Sequence, residues 1–66
     1  MNIIVNGKPE EQPEGISIQN LLAAKTRPPD TVAVALNETF VPRTTYPEVT
    51  LQEGDRVEIV APVQGG

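Results

Sequence analysis

The chain has no cysteine, no histidine and no tryptophan. Without cysteine there is no disulfide to brace the fold and no thiol nucleophile. Without histidine the usual zinc ligands and the usual general base are missing. Phe40 and Tyr46 are the two aromatic residues, too few for a base-stacking platform. Five basic residues lie scattered against nine acidic ones, for a net charge of −4. Binding to a phosphate backbone needs clustered Lys and Arg, so nucleic acid is not an expected partner. There is no apolar run long enough to cross a bilayer and no signal-peptide pattern, so the expected location is cytoplasmic, with no membrane partner. Seven prolines leave little room for long helices. No catalytic constellation and no bound cofactor or metal is expected. Any chemistry involving this chain is expected to be done to it by another protein.

What remains is a short chain with clear periodicity. Its 66 residues make one domain, 1–66, burying about 60% of its unfolded surface, so its stability margin is thin. Asn2-Ile3-Ile4-Val5 reads as a strand, and Asn6-Gly7 is a strong two-residue hairpin signal. Lys8 to Gln12 is the return strand. Pro9 and Pro13 place it at a sheet edge, weakly paired. Glu10-Glu11 reads as a solvated face, because nothing apolar nearby would raise a carboxyl pKa. Ser17 is a good N-cap for a helix of about two turns from Ile18 to Thr26. Ile18, Leu21 and Leu22 form its apolar stripe, Lys25 follows the same spacing, and Pro28-Pro29 stops it.

Asp30-Thr31 turns into Val32 to Asn37, apolar on both faces. Val32, Val34 and Leu36 are expected to face the helix. Ala33 and Ala35 form a small opposite face, suited to a buried strand or to flat ground for a partner. Asn37-Glu38 is a tight turn into the short edge strand Thr39 to Val41, ended by Pro42. Arg43 to Pro47 is a loop that lays Tyr46 over the core. Gly54-Asp55 turns the chain into Arg56 to Ala61, where Val57 and Ile59 alternate with Arg56 and Glu58.

That last strand leads into Pro62-Val63-Gln64-Gly65-Gly66, an expected exposed tail over about 62–66. Glycine has no Cβ, so Gly65 and Gly66 can thread a slot too narrow for other residues. The carboxylate of Gly66, with nothing bulky beside it, is expected to be open to an activating enzyme. A frayed terminus is the competing reading. Val60, Pro62 and Val63 are candidate docking residues, with strand-end packing as their competing reading. Strands and one helix in this order predict an α+β fold. It is a mixed four- to five-stranded sheet with one helix packed on one face, its first and last strands parallel at the centre, which is the β-grasp (ubiquitin-like) arrangement.

Several stretches, taken in order, resemble the thiamine-biosynthesis sulfur carriers of the ThiS family. They are Ile3-Ile4-Val5-Asn6-Gly7, Val32-Ala33-Val34-Ala35-Leu36-Asn37 with Val41-Pro42-Arg43, and Leu51 to Val60 followed by Val63-Gln64-Gly65-Gly66. Tyr46 stands where members often have Trp, and Pro28-Pro29 and the proline-rich second strand are less typical. The resemblance implies that Gly66 is adenylated by a ubiquitin-activating-like adenylyltransferase that consumes ATP. It further implies conversion to a thiocarboxylate by a sulfur donor such as a cysteine desulfurase, then sulfur transfer on a thiazole synthase. Three alternatives stay open: the small subunit of molybdopterin synthase, a ubiquitin-like protein modifier, and a binding module with an accidental Gly-Gly end. The short chain and Val41-Pro42-Arg43 favour the thiamine carrier over the molybdopterin synthase subunit.

Overall fold

In a computed structural model that describes residues 1–61, strand β1 (Asn2–Val5) hairpins into β2 (Lys8–Glu11) and helix α1 (Ile18–Ala24) follows. Strands β3 (Ala33–Leu36), β4 (Thr39–Val41) and β5 (Arg56–Val60) complete a five-stranded sheet in the order β2-β1-β5-β3-β4. β1 and β5 are parallel and the other pairs antiparallel. The last strand is therefore the middle strand, and the rims are β2, which carries Pro9, and β4, which stops just before Pro42, where a missing N–H donor is tolerated.

The turns follow from positive backbone angles. Asn6 and Gly7 sit at φ +50° and +83°, the left-handed pair that a tight hairpin needs. The β3–β4 turn uses Asn37 at +50° and Glu38 at +71°, with no glycine. Pairing of β1 and β2 spans Asn2↔Glu11 to Val5↔Lys8. Met1 and Gln12 extend it through two main-chain bonds of 2.8 and 2.9 Å. Asp55 closes the turn before β5 by accepting from the Gln52 N–H at 2.8 Å.

The helix caps as its sequence predicts, with Ser17 Oγ accepting from the Asn20 N–H at 3.0 Å. It ends at Ala24, earlier than the expected Thr26, because Thr26 has turned left-handed at φ +54°. The Asp30-Thr31 turn is part of a 3-10 turn, Pro29–Thr31, and the loop before Tyr46 contains another, Arg43–Thr45. β3 begins at Ala33, one residue later than expected, and Leu36 is half-buried rather than fully packed. The helix lies against the sheet face carrying Ile3, Val5, Val34, Val41, Val57 and Ile59, with Tyr46 and Leu51 closing the core. No polar or charged residue is buried among the described residues. No described helix is long and apolar enough to cross a membrane.

Candidate functional site

β5 alternates inward Val57 and Ile59 with outward Arg56, Glu58 and Val60. It is held on both sides. Antiparallel β3 pairs with it from Leu36↔Val57 to Ala33↔Val60. Parallel β1 pairs at Ile4↔Arg56 and Val5↔Val57, extended by Ile4 N–H to Asp55 O and Asn6 N–H to Val57 O, each 2.9 Å. A strand anchored in this way leaves the sheet from its centre, and Ala61 is exposed at its end.

Two asparagine side chains complete the hold. β1 ends at Val5, yet the Asn6 amide carries the pairing one step further. Ile59 N–H donates to Asn6 Oδ1 at 2.8 Å, and Asn6 Nδ2 donates to Ile59 O at 3.3 Å. At the other end, Arg56 N–H donates to Asn37 Oδ1 at 2.9 Å, and Asn37 Nδ2 donates to Asp55 Oδ1 at 3.2 Å. The sequence marks both asparagines as turn formers. Their reach to a strand distant in sequence became visible only with the topology.

The outer sheet face carries an apolar patch. Val60 is 60% exposed and Phe40 67%. In register terms Val60 is opposite Ala33, while Ala35 is opposite both Glu58 and Phe40. The two alanines leave a shallow floor between the larger side chains. This is the small face expected of Ala33 and Ala35, and both are on the side away from the helix. A hollow of about 310 Å³ beside Phe40 is bordered by Ala33, Pro42 and Tyr46. Phe40 was not singled out from sequence. The available signal was an aromatic residue in a three-residue edge strand with no apolar partner at i±2.

A larger hollow of about 580 Å³ adjoins Ala61, bordered by Lys25, Arg27 and Thr31. Arg27 brings a basic residue to this hollow near the end of the last strand. Lys25 itself is paired with Glu10 at 2.7 Å. That pairing corrects the reading of Glu10 as plain solvated surface: Ile3↔Glu10 registry turns it to the helix side, where Lys25 meets it. The Lys25 ammonium bond holds the Glu10 carboxyl below its ordinary value of 4.5, against a smaller opposing effect of burial, and Gln12 adds a further bond. Among the described residues no three His, Cys, Asp or Glu side chains converge as a metal site would require.

Of the residues singled out for function, Val60 is where it was expected, outward at the end of the central strand. Pro62, Val63, Gly65 and Gly66 lie outside the described residues.

Comparison with known proteins matches these features. The sequence profile of the ThiS family covers residues 3–66. A thiazole synthase of Magnetococcus marinus is 39% identical over all 66 residues, which make up 20% of that protein. A thiazole synthase of Paramagnetospirillum magneticum is 32% identical, again over 20% of its length. The chain thus spans about a fifth of these two relatives. The ycf40 protein of Pyropia yezoensis is 33% identical, with 93% of it covered. Among solved structures, the crystal structure of a thiamine biosynthesis protein (ThiS) from Geobacter metallireducens superposes with TM-score 0.87 at 35% identity, covering 100% of both chains. The NMR structure of a thiamine biosynthesis protein from the same organism gives TM-score 0.82 at 33% identity, covering 100% of this chain and 88% of that one. A β-grasp domain whose final strand lies at the centre of the sheet, matched over nearly its whole length by one profile, belongs to the ThiS family.

Proposed function

We propose that this chain is a sulfur carrier for thiazole formation in thiamine biosynthesis, with Gly66 as the loaded residue. The observation that carries the reading is the central position of β5, a strand paired on both sides that comes just before the Gly65-Gly66 end in the sequence. Family membership and the thiazole synthase relatives support it.

A carboxylate oxygen of Gly66 attacks the α-phosphorus of ATP on a ubiquitin-activating-like adenylyltransferase, and pyrophosphate leaves. The resulting mixed anhydride makes the acyl carbon electrophilic. A donor such as a cysteine desulfurase passes on persulfide sulfur, a thiol reductant releases it as hydrosulfide and is itself oxidised to a disulfide, and the hydrosulfide sulfur forms the C–S bond. The bond to AMP breaks, AMP takes the electron pair, and a thiocarboxylate remains. Thiazole synthase accepts that sulfur. ATP belongs to the activating partner, and the carrier holds no cofactor. The exposed Val60–Phe40 face supplies docking to the activating enzyme, with Pro62 and Val63 as further candidate docking residues, while Gly65 and Gly66 enter the partner's active site.

An acceptor assay tests the reading. Carrier loaded with labelled sulfur is offered separately to a thiazole synthase and to a molybdopterin synthase large subunit, each with its own substrate. Label passing into thiazole is the expected result. Transfer only in the molybdopterin reaction would reassign the chain to the alternative role of small synthase subunit.

A further inference from the structure

We infer that Asn6 is a positioning residue for activation of the carrier end, acting through its side-chain clamp on Ile59. The inference rests on the carrier reading above and adds a role for a residue remote from the reacting carboxylate. On the β1 side, main-chain pairing to β5 stops at Val57 O. Beyond that point the two bonds from the Asn6 amide to Ile59, at 2.8 and 3.3 Å, are the described contacts that continue the ladder. They flank Ile59 one residue before Val60, so the docking side chain and the root of the tail share one held strand. On the β3 side the ladder reaches Val60 opposite Ala33. Without the Asn6 amide, the last stretch of β5 would be held from the β3 side alone, free to rotate about it.

That rotation matters because the reacting group is far from its root. Seven residues, 60–66, span at most about 23–25 Å when extended. A small change of direction at Ile59 is therefore magnified at the acyl group. Adenylation needs the carboxylate within roughly 3–3.5 Å of the α-phosphorus and in line, and a misplacement of about 1 Å can cost around a hundredfold in rate. Phe40 is on β4, away from the clamp, and Val60 keeps its pairing to Ala33 on the β3 side, so docking is retained while the carboxylate is misdirected.

The test uses the full chain and two matched variants, Asn6→Gly and Asn37→Gly. Both positions are at φ +50°, where glycine is unstrained, so each substitution removes an amide without forcing the backbone. Each removes two side-chain bonds at one end of β5. Pyrophosphate release is measured with the activating enzyme, varying carrier concentration, and amide exchange is followed at Ile59. For Asn6→Gly the expected result is faster exchange at Ile59, kcat down about tenfold or more, and KM for the carrier within about twofold of the parent. Asn37→Gly keeps both kinetic constants near the parent values. Unchanged Ile59 exchange overturns the clamp. Freed Ile59 with parental kcat overturns its role in positioning. Equal loss in both variants shows mere destabilisation and overturns it too. A parent chain that supports no pyrophosphate release, with an enzyme competent on another carrier, overturns the carrier reading and this inference with it.

Discussion

Tyr46 shows how much of a small domain can rest on one side chain. It is 2% exposed and is the aromatic member of the described core, and its hydroxyl reaches Val32 O only at a long 3.5 Å. Its value is therefore volume more than hydrogen bonding. Tyr46→Ala is expected to cost about 3–5 kcal/mol. Stability of about 0.05–0.15 kcal/mol per residue leaves a domain this size little beyond that. Tyr46→Phe is expected to cost less than about 1 kcal/mol, since a weak bond contributes little. Urea denaturation of the two variants separates packing from bonding. The Glu10–Lys25 pair makes a smaller claim. A carboxyl whose folded pKa is depressed adds stability above its unfolded value, and that contribution is lost as pH falls below 4.5 through the lowered folded value. Both side chains remain partly exposed, so the pair contributes roughly 0.2–1 kcal/mol. Glu10→Gln is expected to remove that increment at pH 7, and the difference from the parent is expected to vanish in acid. Equal losses at pH 7 and pH 3 in denaturant titrations would contradict the pairing.

At the scale of elements, the strands and helix were legible because each carries its own period. Ile18, Leu21 and Leu22 repeat as a helix face, Val57 and Ile59 as a strand face, and Asn6-Gly7 announces its turn. What local patterns do not contain is contact between distant parts of the chain. Neither the Asn6 amide on Ile59 nor the Glu10–Lys25 pair has a local signature, since each depends on which strands become neighbours. The end of α1 is not legible in sequence, because nothing in Lys25-Thr26 announces a left-handed residue. The β3–β4 turn carries a prediction of its own. Glu38 is at φ +71°, where a side chain costs roughly 1–2 kcal/mol that glycine does not incur. Part of that gain is offset by the greater freedom of glycine in the unfolded chain. Glu38→Gly is therefore expected to raise stability by up to about 1 kcal/mol in thermal or urea melts. A clear loss would mean that the Glu38 side chain contributes a contact outweighing the strain.

For the whole molecule, one sheet separates two tasks. Its inner face joins the helix in an apolar core, and its outer face leaves Phe40 and Val60 exposed over small alanines. Exposed positions contribute little to folding, so Phe40→Thr and Val60→Thr are expected to shift stability by less than about 0.5 kcal/mol. As buried anchors of a docked complex they would matter more. Each substitution is expected to raise KM for the activating enzyme by roughly tenfold or more, in line with the behaviour of interface hot spots. Unaltered KM in both would move docking to another surface. The Gly65-Gly66 pair is distinctive in sequence and lies outside the described residues, whereas the candidate docking face is only half readable. Val60 follows from strand alternation, but Phe40 joins it only through the β4-β3-β5 order.

The most direct test is fragment-resolved mass spectrometry of the chain after incubation with ATP, a hydrosulfide source and the activating enzyme. The carrier account predicts a mass gain equal to one oxygen replaced by sulfur, located at Gly66 and absent when Gly66 is deleted. An unchanged mass in the presence of an enzyme active on another carrier, or an isopeptide bond from Gly66 to a lysine in its place, would contradict it.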